Sequence, residues 1–139
     1  AIIEGAVTAL AAPYLEETDL RRLVRLNQQM AKAVSAGDAL KSASSNLEFH
    51  DVIYQRCPNA WLLRLLRSTN LRLDSLRRSV FIFIPERTRD SVGEHERLIT
   101  MIRSGAPAEA IETEARAHKL RTMQAYEAHM DVVAGREGA

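Results

Sequence analysis

The spacing of apolar residues predicts helices along almost the whole chain. Apolar positions recur every three or four residues, which is the period of an amphipathic α-helix. Proline and glycine interrupt the pattern at intervals, and both favour turns and helix ends over helix interiors. The segments between these breaks are predicted to be helices over residues 2–12, 19–36, 39–56, 60–83, 87–104 and 107–132.

The inward face of each helix should follow from its apolar stripe. In the first helix Ile2, Ala6, Ala9 and Leu10 share one face. Thr18 precedes the second helix, and threonine is a residue type that caps helix starts through its side-chain oxygen. We therefore expect the first helix to pack through its isoleucine, leucine and alanines, and the second to begin directly after its threonine.

An apolar run at residues 80–84 would suit a β-strand as well as a helix. A single strand finds no partner in a chain that is otherwise helical, so we assign the run to the buried end of the fourth helix. The predicted fold is an all-α, antiparallel bundle of six helices with short connections. The domain covers residues 1–134, and residues 135–139 are predicted to form a frayed tail.

Composition narrows the class of protein. A chain of 139 residues is long enough for one domain with a hydrophobic core. The net charge of +1 gives no overall field that favours nucleic acid or a membrane, and no apolar run approaches the roughly 20 residues that span a bilayer. Cys57 is the only cysteine, which indicates a reducing, cytoplasmic compartment. The chain starts at Ala1 inside a predicted helix, which suggests a piece of a longer protein.

Three histidines lie on the apolar faces of three different helices. His50 follows Asn46 by one turn, and His95 and His118 each share a face with aliphatic residues. A single histidine on such a face is usually a core residue bonded to a carbonyl group. Three buried imidazoles contain several nitrogens that need a hydrogen-bond partner or a metal. A divalent metal would bind one nitrogen of each ring. The pattern alone leaves both interpretations open, whereas His129 is predicted to lie on the surface.

Three further polar residues are candidates for the same centre. Arg72 and Thr69 lie on the stripe of the fourth helix that carries Trp61, and both are candidate ligand-binding residues. The arginine either extends to solvent or faces the pocket and grips a carboxylate. Glu114 lies one turn before His118, where it is either solvated or a carboxylate near the metal. Nothing in the sequence matches a nucleophile triad, a phosphate-binding loop or a protease HExxH helix.

Together these residues resemble the C-terminal effector-binding domain, or FCD domain, of the FadR subfamily of GntR-type bacterial transcriptional regulators. The matching positions run through the chain in order: Glu4-Gly5, Ala11-Ala12, Gly37-Asp38, Asn46-Leu47-Glu48-Phe49-His50, Asn59, Arg72, Glu94-His95, Gly105 and His118. The resemblance implies a bundle of six or seven helices that senses a small organic acid. It also implies a homodimer, with a separate N-terminal winged helix-turn-helix that binds operator DNA and is absent from this chain.

The resemblance further implies a metal held by one aspartate and three histidines. By position the ligands are Asn46, His50, His95 and His118, while Arg72 matches an arginine of the ligand pocket. The chain departs from the family at position 46, where an uncharged amide replaces the usual carboxylate and is a weaker ligand. Three imidazoles favour zinc, with nickel or manganese as alternatives, over magnesium or calcium. Because the centre then carries a charge of about +2, we expect a carboxylate effector to complete the coordination.

Three functions fit these observations. The leading prediction is a sensor domain without catalytic activity, in which the effector shifts an equilibrium between dimer arrangements. The alternative is a metal-dependent, hydrolase-like enzyme with Glu114 as its base, because three histidines and an open position also describe catalytic zinc. The third is a structural bundle in which all three histidines are ordinary core residues.

Overall fold

The computed structural model is a bundle of six α-helices. It describes the backbone of residues 1–137 and the side chains of residues 1–70, 80 and 83–135. A short 3-10 turn at Ala12–Tyr14 follows the first helix. The helices are α1 (Ile2–Ala11), α2 (Glu17–Ser35), α3 (Ala39–Tyr54), α4 (Ala60–Phe83), α5 (Pro85–Arg103) and α6 (Ala108–Glu137). No strand occurs within residues 1–137, so the prediction of an all-α bundle is confirmed.

Short polar side chains and glycines set helix ends where the sequence predicted them. The carboxylate of Asp38 accepts a hydrogen bond from the backbone N–H of Lys41 at 2.9 Å and so caps α3. The side chain of Asn59 caps α4 in the same way through the N–H of Leu62. Gly37 follows α2 with φ +70°, a left-handed conformation that glycine adopts without steric cost.

Several helix ends lie one or more residues from their predicted positions, and those of α2 and α6 show why. Thr18 is not the cap of α2, which starts earlier in the chain. The Asp19 carboxylate accepts a hydrogen bond from the backbone N–H of Glu16 at 2.9 Å, and this bond closes the first turn before the threonine. Helix α6 continues past its predicted end to Glu137 and includes most of the predicted tail. Residues 138–139 lie outside the described part of the chain.

The inward face of α1 is not the one that its apolar residues predicted. Ile2 is 72% exposed and Leu10 is 42% exposed. Glu4 is buried instead, because the hydroxyl of Tyr54 donates to its carboxylate at 3.3 Å and the ammonium of Lys119 lies 3.7 Å from it. The prediction was wrong because both partners lie on other helices, which the pattern of α1 alone does not reveal.

The face of α4 that packs against the core is not the stripe that carries Trp61 and Thr69. Trp61 is 64% exposed and Leu65 is 36% exposed, so the part of this stripe that the structure describes faces largely outward. Leu66 is buried at 1% exposure, and Leu62 packs against the same core. The core-facing side of α4 therefore begins one residue later than the stripe that starts at the tryptophan.

A continuous apolar core joins the helices. Its buried members include Leu23 in α2, Phe49 and Ile53 in α3, Leu66 in α4 and Ile99 in α5. Helix α2 packs against both α3 and α5, while α1 packs against α6. Because interiors of this kind are closely packed, the core fixes α3, α5 and α6 relative to one another and holds their polar side chains at defined positions.

Gly5 allows α1 and α6 to pack closely, because it has no side chain at their contact. A Cβ atom at this position would lie 3.0 Å from the carbonyl oxygen of Glu112 and 3.1 Å from the Cβ of Arg116. We expect Gly5→Ala to lower the free energy of unfolding by about 1–3 kcal/mol, because the added methyl group forces the two helices apart. Urea denaturation followed by circular dichroism measures the change.

Gly93→Ala is the matched control within α5. No described atom lies within 4 Å of a Cβ built at Gly93, so the substitution adds helix propensity without a clash. It should leave stability unchanged or raise it by up to about 1 kcal/mol. Equal destabilisation by both substitutions would contradict the close packing at Gly5.

Candidate metal centre

Three histidines from three helices meet in the interior of the bundle. His50 of α3, His95 of α5 and His118 of α6 are each at most 5% exposed, and one nitrogen from each ring lies within 4.8 Å of the others. The Nε2 atoms of His50 and His118 are 3.2 Å apart. Two nitrogens bound at ~2.0–2.1 Å to one tetrahedral zinc ion are separated by about 3.3 Å. The spacing of the His50 and His118 rings therefore fits a shared metal ion, and the ring of His95 lies beside them.

Hydrogen bonds fix the ring of His95 in the state that binds a metal. The side-chain N–H of Asn27 donates to the carbonyl of Val92 at 2.9 Å, which leaves the Oδ1 atom of Asn27 directed at His95. Nδ1 of His95 lies 3.1 Å from that oxygen and therefore carries the proton. The Nε2 atom of His95 keeps its lone pair, as a metal ligand requires.

A carboxylate orients His118 in the same way. Oε2 of Glu94 accepts a hydrogen bond from Nδ1 of His118, which leaves the Nε2 atom available as a ligand on the side that faces His50. Glu94 is itself 5% exposed. The pairing of a buried carboxylate with the far nitrogen of a histidine is the arrangement that fixes and strengthens metal-binding imidazoles.

The environment keeps the imidazoles of His95 and His118 neutral. Burial lowers the pKa of His95 well below its ordinary value, and the nearby positive charges of Lys119 and Arg87 act in the same direction. Burial also lowers the pKa of His118 to about 4, although the hydrogen bond to Glu94 opposes the shift. At neutral pH both rings therefore lack the proton that would prevent coordination.

Two buried polar atoms, one on a histidine of this centre and one a helical turn before another, lack the hydrogen bonds that such atoms normally make. Among the described residues, neither Oδ1 of Asn46 nor Nε2 of His95 has a hydrogen-bond partner. Leaving a polar atom buried and unpaired costs about 1–3 kcal/mol, and more than nine in ten are paired in folded proteins. A metal ion beside these atoms would satisfy both, since an amide oxygen and an imidazole nitrogen are metal ligands.

Aromatic contacts hold the histidine rings in place. The ring of Phe49 stacks on that of His95 with centroids 3.9 Å apart and planes inclined by 7°. The ring of Tyr54 stacks on that of His50 at 5.9 Å. Because Phe49 and Tyr54 are both buried core residues of α3, the rings have little freedom to rotate, and the centre is preorganised by packing as well as by hydrogen bonds.

Glu94 is the centre of a buried ion network. Besides His118, its carboxylate accepts hydrogen bonds from Arg87 and, at 2.5 Å, from Nε of Arg121. Arg87 is 5% exposed, and it donates to the backbone carbonyl of His118 at 3.1 Å and to the hydroxyl of Thr122 at 3.2 Å. Burial would raise the pKa of Glu94, but the hydrogen bonds from His118 and Arg87 outweigh it and lower that pKa to about 2.

Glu114 lies at the outer edge of this network. Its carboxylate accepts hydrogen bonds from Arg97 at 3.3 Å and from Arg121 at 3.1 Å. The structure therefore places it in ion pairs with two arginines, and Glu94 is the carboxylate that contacts His118. Among the described residues, Arg121 links Glu114 to the centre, because it contacts both carboxylates.

No described contact joins the remaining candidates to the group of three histidines. Thr69 is half-buried, and its hydroxyl donates to the carbonyl of Leu65 at 2.9 Å. The side chain of Arg72 lies outside the described residues. His129 is half-buried rather than fully solvated, and its ring stacks on that of Phe83 with centroids 5.9 Å apart.

Three residues of the centre were missed by the sequence analysis. Asn27 lies between Leu23 and Met30 on the buried face of α2, and a polar residue on an apolar stripe is a recognisable signal. Glu94 was noted only as part of the family motif. Arg87 precedes it by seven residues, so the two lie on one face of α5. In a sequence with 19 lysines and arginines, nothing distinguishes this arginine from the exposed ones.

The structure thus defines an all-α domain built around a buried centre of three histidines. Residues 1–122 match the FCD domain, and the chain belongs to that family. FCD domains are ligand-sensing regulatory domains of GntR-family regulators, so the family and the general function predicted from the sequence are confirmed. Comparison with curated proteins found no match. Within the described residues, no helix is both long and apolar enough to cross a membrane.

Proposed function

We propose that this domain senses a small carboxylate at a divalent metal held by His50, His95, His118 and Asn46. The observation that carries the proposal is the convergence of three buried imidazoles. At least two of them are oriented through partners on their far nitrogens, and Nε2 of His95, like Oδ1 of Asn46, has no described partner. A core built only for stability would lose about 1–3 kcal/mol for each buried polar atom left without a partner. The described geometry instead supports a set of ligands for one divalent ion.

Zinc is the metal that the donor set favours. Neutral imidazole nitrogens suit zinc and nickel, whereas magnesium and calcium prefer oxygen donors. The family's usual aspartate would make manganese more favourable than the amide of Asn46 does. A metal bound here would act as a Lewis acid toward an anion, and the protein's own contribution is to orient the imidazoles and exclude water.

The carboxylate would bind at a free coordination position of the metal. We propose that Arg72 grips the second carboxylate oxygen and that Thr69 lines the same pocket. Both assignments rest on position in the sequence, and Arg72 rests also on the resemblance to the family.

In the whole regulator, the effector would change how an N-terminal winged helix-turn-helix binds operator DNA. We propose a homodimer in which the carboxylate stabilises one arrangement of the two copies over another. The size of the response is then limited by the difference in the carboxylate's affinity for the two arrangements. Membership of the FCD family supports this role.

The direct test is calorimetry on two forms of the protein. One sample is loaded with zinc and the other is treated with a chelator, and both are titrated with acetate, lactate, succinate and citrate. We expect one bound metal per chain by elemental analysis, and carboxylate binding at least about tenfold tighter in the loaded sample. Equal binding by both samples would contradict the proposal, as would the absence of metal after reconstitution.

A further inference from the structure

We infer that a groove between the end of α4 and the last turns of α6 binds a small, neutral, planar aromatic molecule. The groove is a cavity of about 300 Å³ lined by seven described residues. Four of these follow residue 122, where the match to the FCD domain ends. The three histidines and Asn46 are not among the seven, so the inference is independent of the proposed metal centre.

The floor of the groove is held in place by core packing. Val80 of α4 is 3% exposed and belongs to a small buried cluster with Met30 of α2 and Ala43 of α3. Tyr126 of α6 packs against the same cluster. Because these residues come from four helices, the floor cannot move without disturbing the bundle, and the groove is formed before a ligand arrives.

The lining of the groove is rich in rings. It contains Phe83, Tyr126 and His129, in a chain of which only 5% is aromatic. The rings of Phe83 and His129 lie nearly parallel, with planes inclined by 13° and centroids 5.9 Å apart. Phe83 is 62% exposed, so much of its ring surface is available to a further ring. A flat aromatic ligand therefore gains stacking contacts that an aliphatic ligand of the same size would not make.

The polarity of the lining further defines the ligand. None of the seven described lining residues is an aspartate, glutamate, lysine or arginine. A charged ligand would lose its hydration there without gaining an opposite charge, so a neutral ligand is favoured. The hydroxyl of Tyr126 and the ring nitrogens of His129 lie about one helical turn apart and can pair with a polar group. The ligand class is therefore a neutral aromatic molecule with a hydroxyl or similar group.

A second copy of the chain is the competing occupant. Stable protein interfaces cover roughly 800 Å² on each partner. Of the seven described lining residues, Phe83 and Met130 are exposed and the others are buried or half-buried. Two exposed side chains supply far less surface than an interface of that size needs. The cavity volume instead lies at the lower end of the range of roughly 300–1,000 Å³ that is usual for small-molecule sites.

The test compares 2-naphthol with its saturated analogue, decahydro-2-naphthol, on chelator-treated protein. Both probes are neutral and carry one hydroxyl on the same carbon skeleton, so they differ mainly in aromaticity. We expect 2-naphthol to bind with a dissociation constant of about 1 mM or below, and about 2- to 10-fold tighter than the saturated probe. A two-dimensional amide NMR titration measures the affinity, and its largest shift changes should fall within residues 80–84 and 126–133.

Two pairs of variants test the residues of the groove. Phe83→Leu removes the ring but keeps an apolar side chain, so the preference for 2-naphthol should fall below about twofold. Trp61→Leu is its matched control, because Trp61 is 64% exposed on the same helix and does not line the groove. Met130→Glu places a charge in the lining and should weaken 2-naphthol binding by at least about tenfold. Met123→Glu, two turns earlier at 48% exposure, should leave it within about twofold.

The unmodified protein decides the inference even if a variant fails to fold. Absence of 2-naphthol binding, equal binding of the two probes, or shift changes elsewhere in the chain would each overturn it. Sedimentation velocity tests the second copy. A dimer that Met130→Glu dissociates and Met123→Glu does not would assign the groove to an interface and would also overturn the ligand site. Zinc binding is measured in separate samples, so failure of the metal centre and failure of this site are distinguishable.

Discussion

Replacing His95 by alanine is expected to abolish metal binding by this domain. Loss of a hydrogen-bonding partner behind a metal-binding residue typically lowers metal affinity 10- to 100-fold, so loss of the imidazole itself should cost at least about 100-fold. The readout is the rise in melting temperature that zinc produces. At 100 times its dissociation constant, zinc should stabilise the unmodified protein by about 2.7 kcal/mol, whereas the variant should show no shift.

The fourth histidine of the chain is the control for this experiment. His129 stacks on Phe83 near the end of α6, outside the group of three. His129→Ala should therefore keep the full zinc-induced shift. Because His95→Ala also opens a cavity beneath Phe49, His95→Gln provides a variant of similar volume, and the shift is compared within each variant. A full shift in both His95 variants would exclude the proposed centre.

The fold could be predicted from the sequence because its signals are local. Asp38, Asn59 and the glycines act on neighbouring backbone groups, so the bounds of α3 and α4 follow from a few residues of chain. The inward faces of α1 and α4 could not be predicted in the same way. A buried Glu4 and an exposed Trp61 depend on which helices lie opposite, and helical periodicity does not contain that information.

The histidines of the candidate site could be predicted from the sequence, but the residues that orient their rings could not. His50, His95 and His118 were found because each lies on an apolar face, and their burial in one group agrees with that reading. The hydrogen-bonding partners of these rings were not predicted. Asn27, for example, contacts His95 from another helix, although the two residues are 68 positions apart in sequence. Only the contacts between helices show which polar group forms a hydrogen bond with which histidine ring.

Glu94→Gln should be the most damaging single change in the ion network. The amide carries no charge, so Arg87 loses its carboxylate partner while it remains 5% exposed. Breaking a buried ion pair on one side typically costs about 3–5 kcal/mol. The glutamine would also accept the proton of His118 less strongly, so zinc affinity should fall by roughly 10- to 100-fold. Urea denaturation measures the first effect and chelator competition the second.

Glu114→Gln removes the same charge as Glu94→Gln from a more exposed position, so it tests how much of the loss in stability comes from burial. Glu114 also pairs with Arg121, but that arginine is 39% exposed and the Glu114 side chain is 23% exposed. Water can replace the lost charge there, so stability should fall by less than about 1 kcal/mol.

A second comparison pairs Glu94→Gln with Arg87→Met, because removing both charges avoids leaving one of them buried alone. The double variant should therefore be more stable than Glu94→Gln, yet it should still bind zinc weakly, since His118 would still lack its carboxylate. Recovery of zinc affinity together with stability would mean that Glu94 acts on the metal centre only through folding.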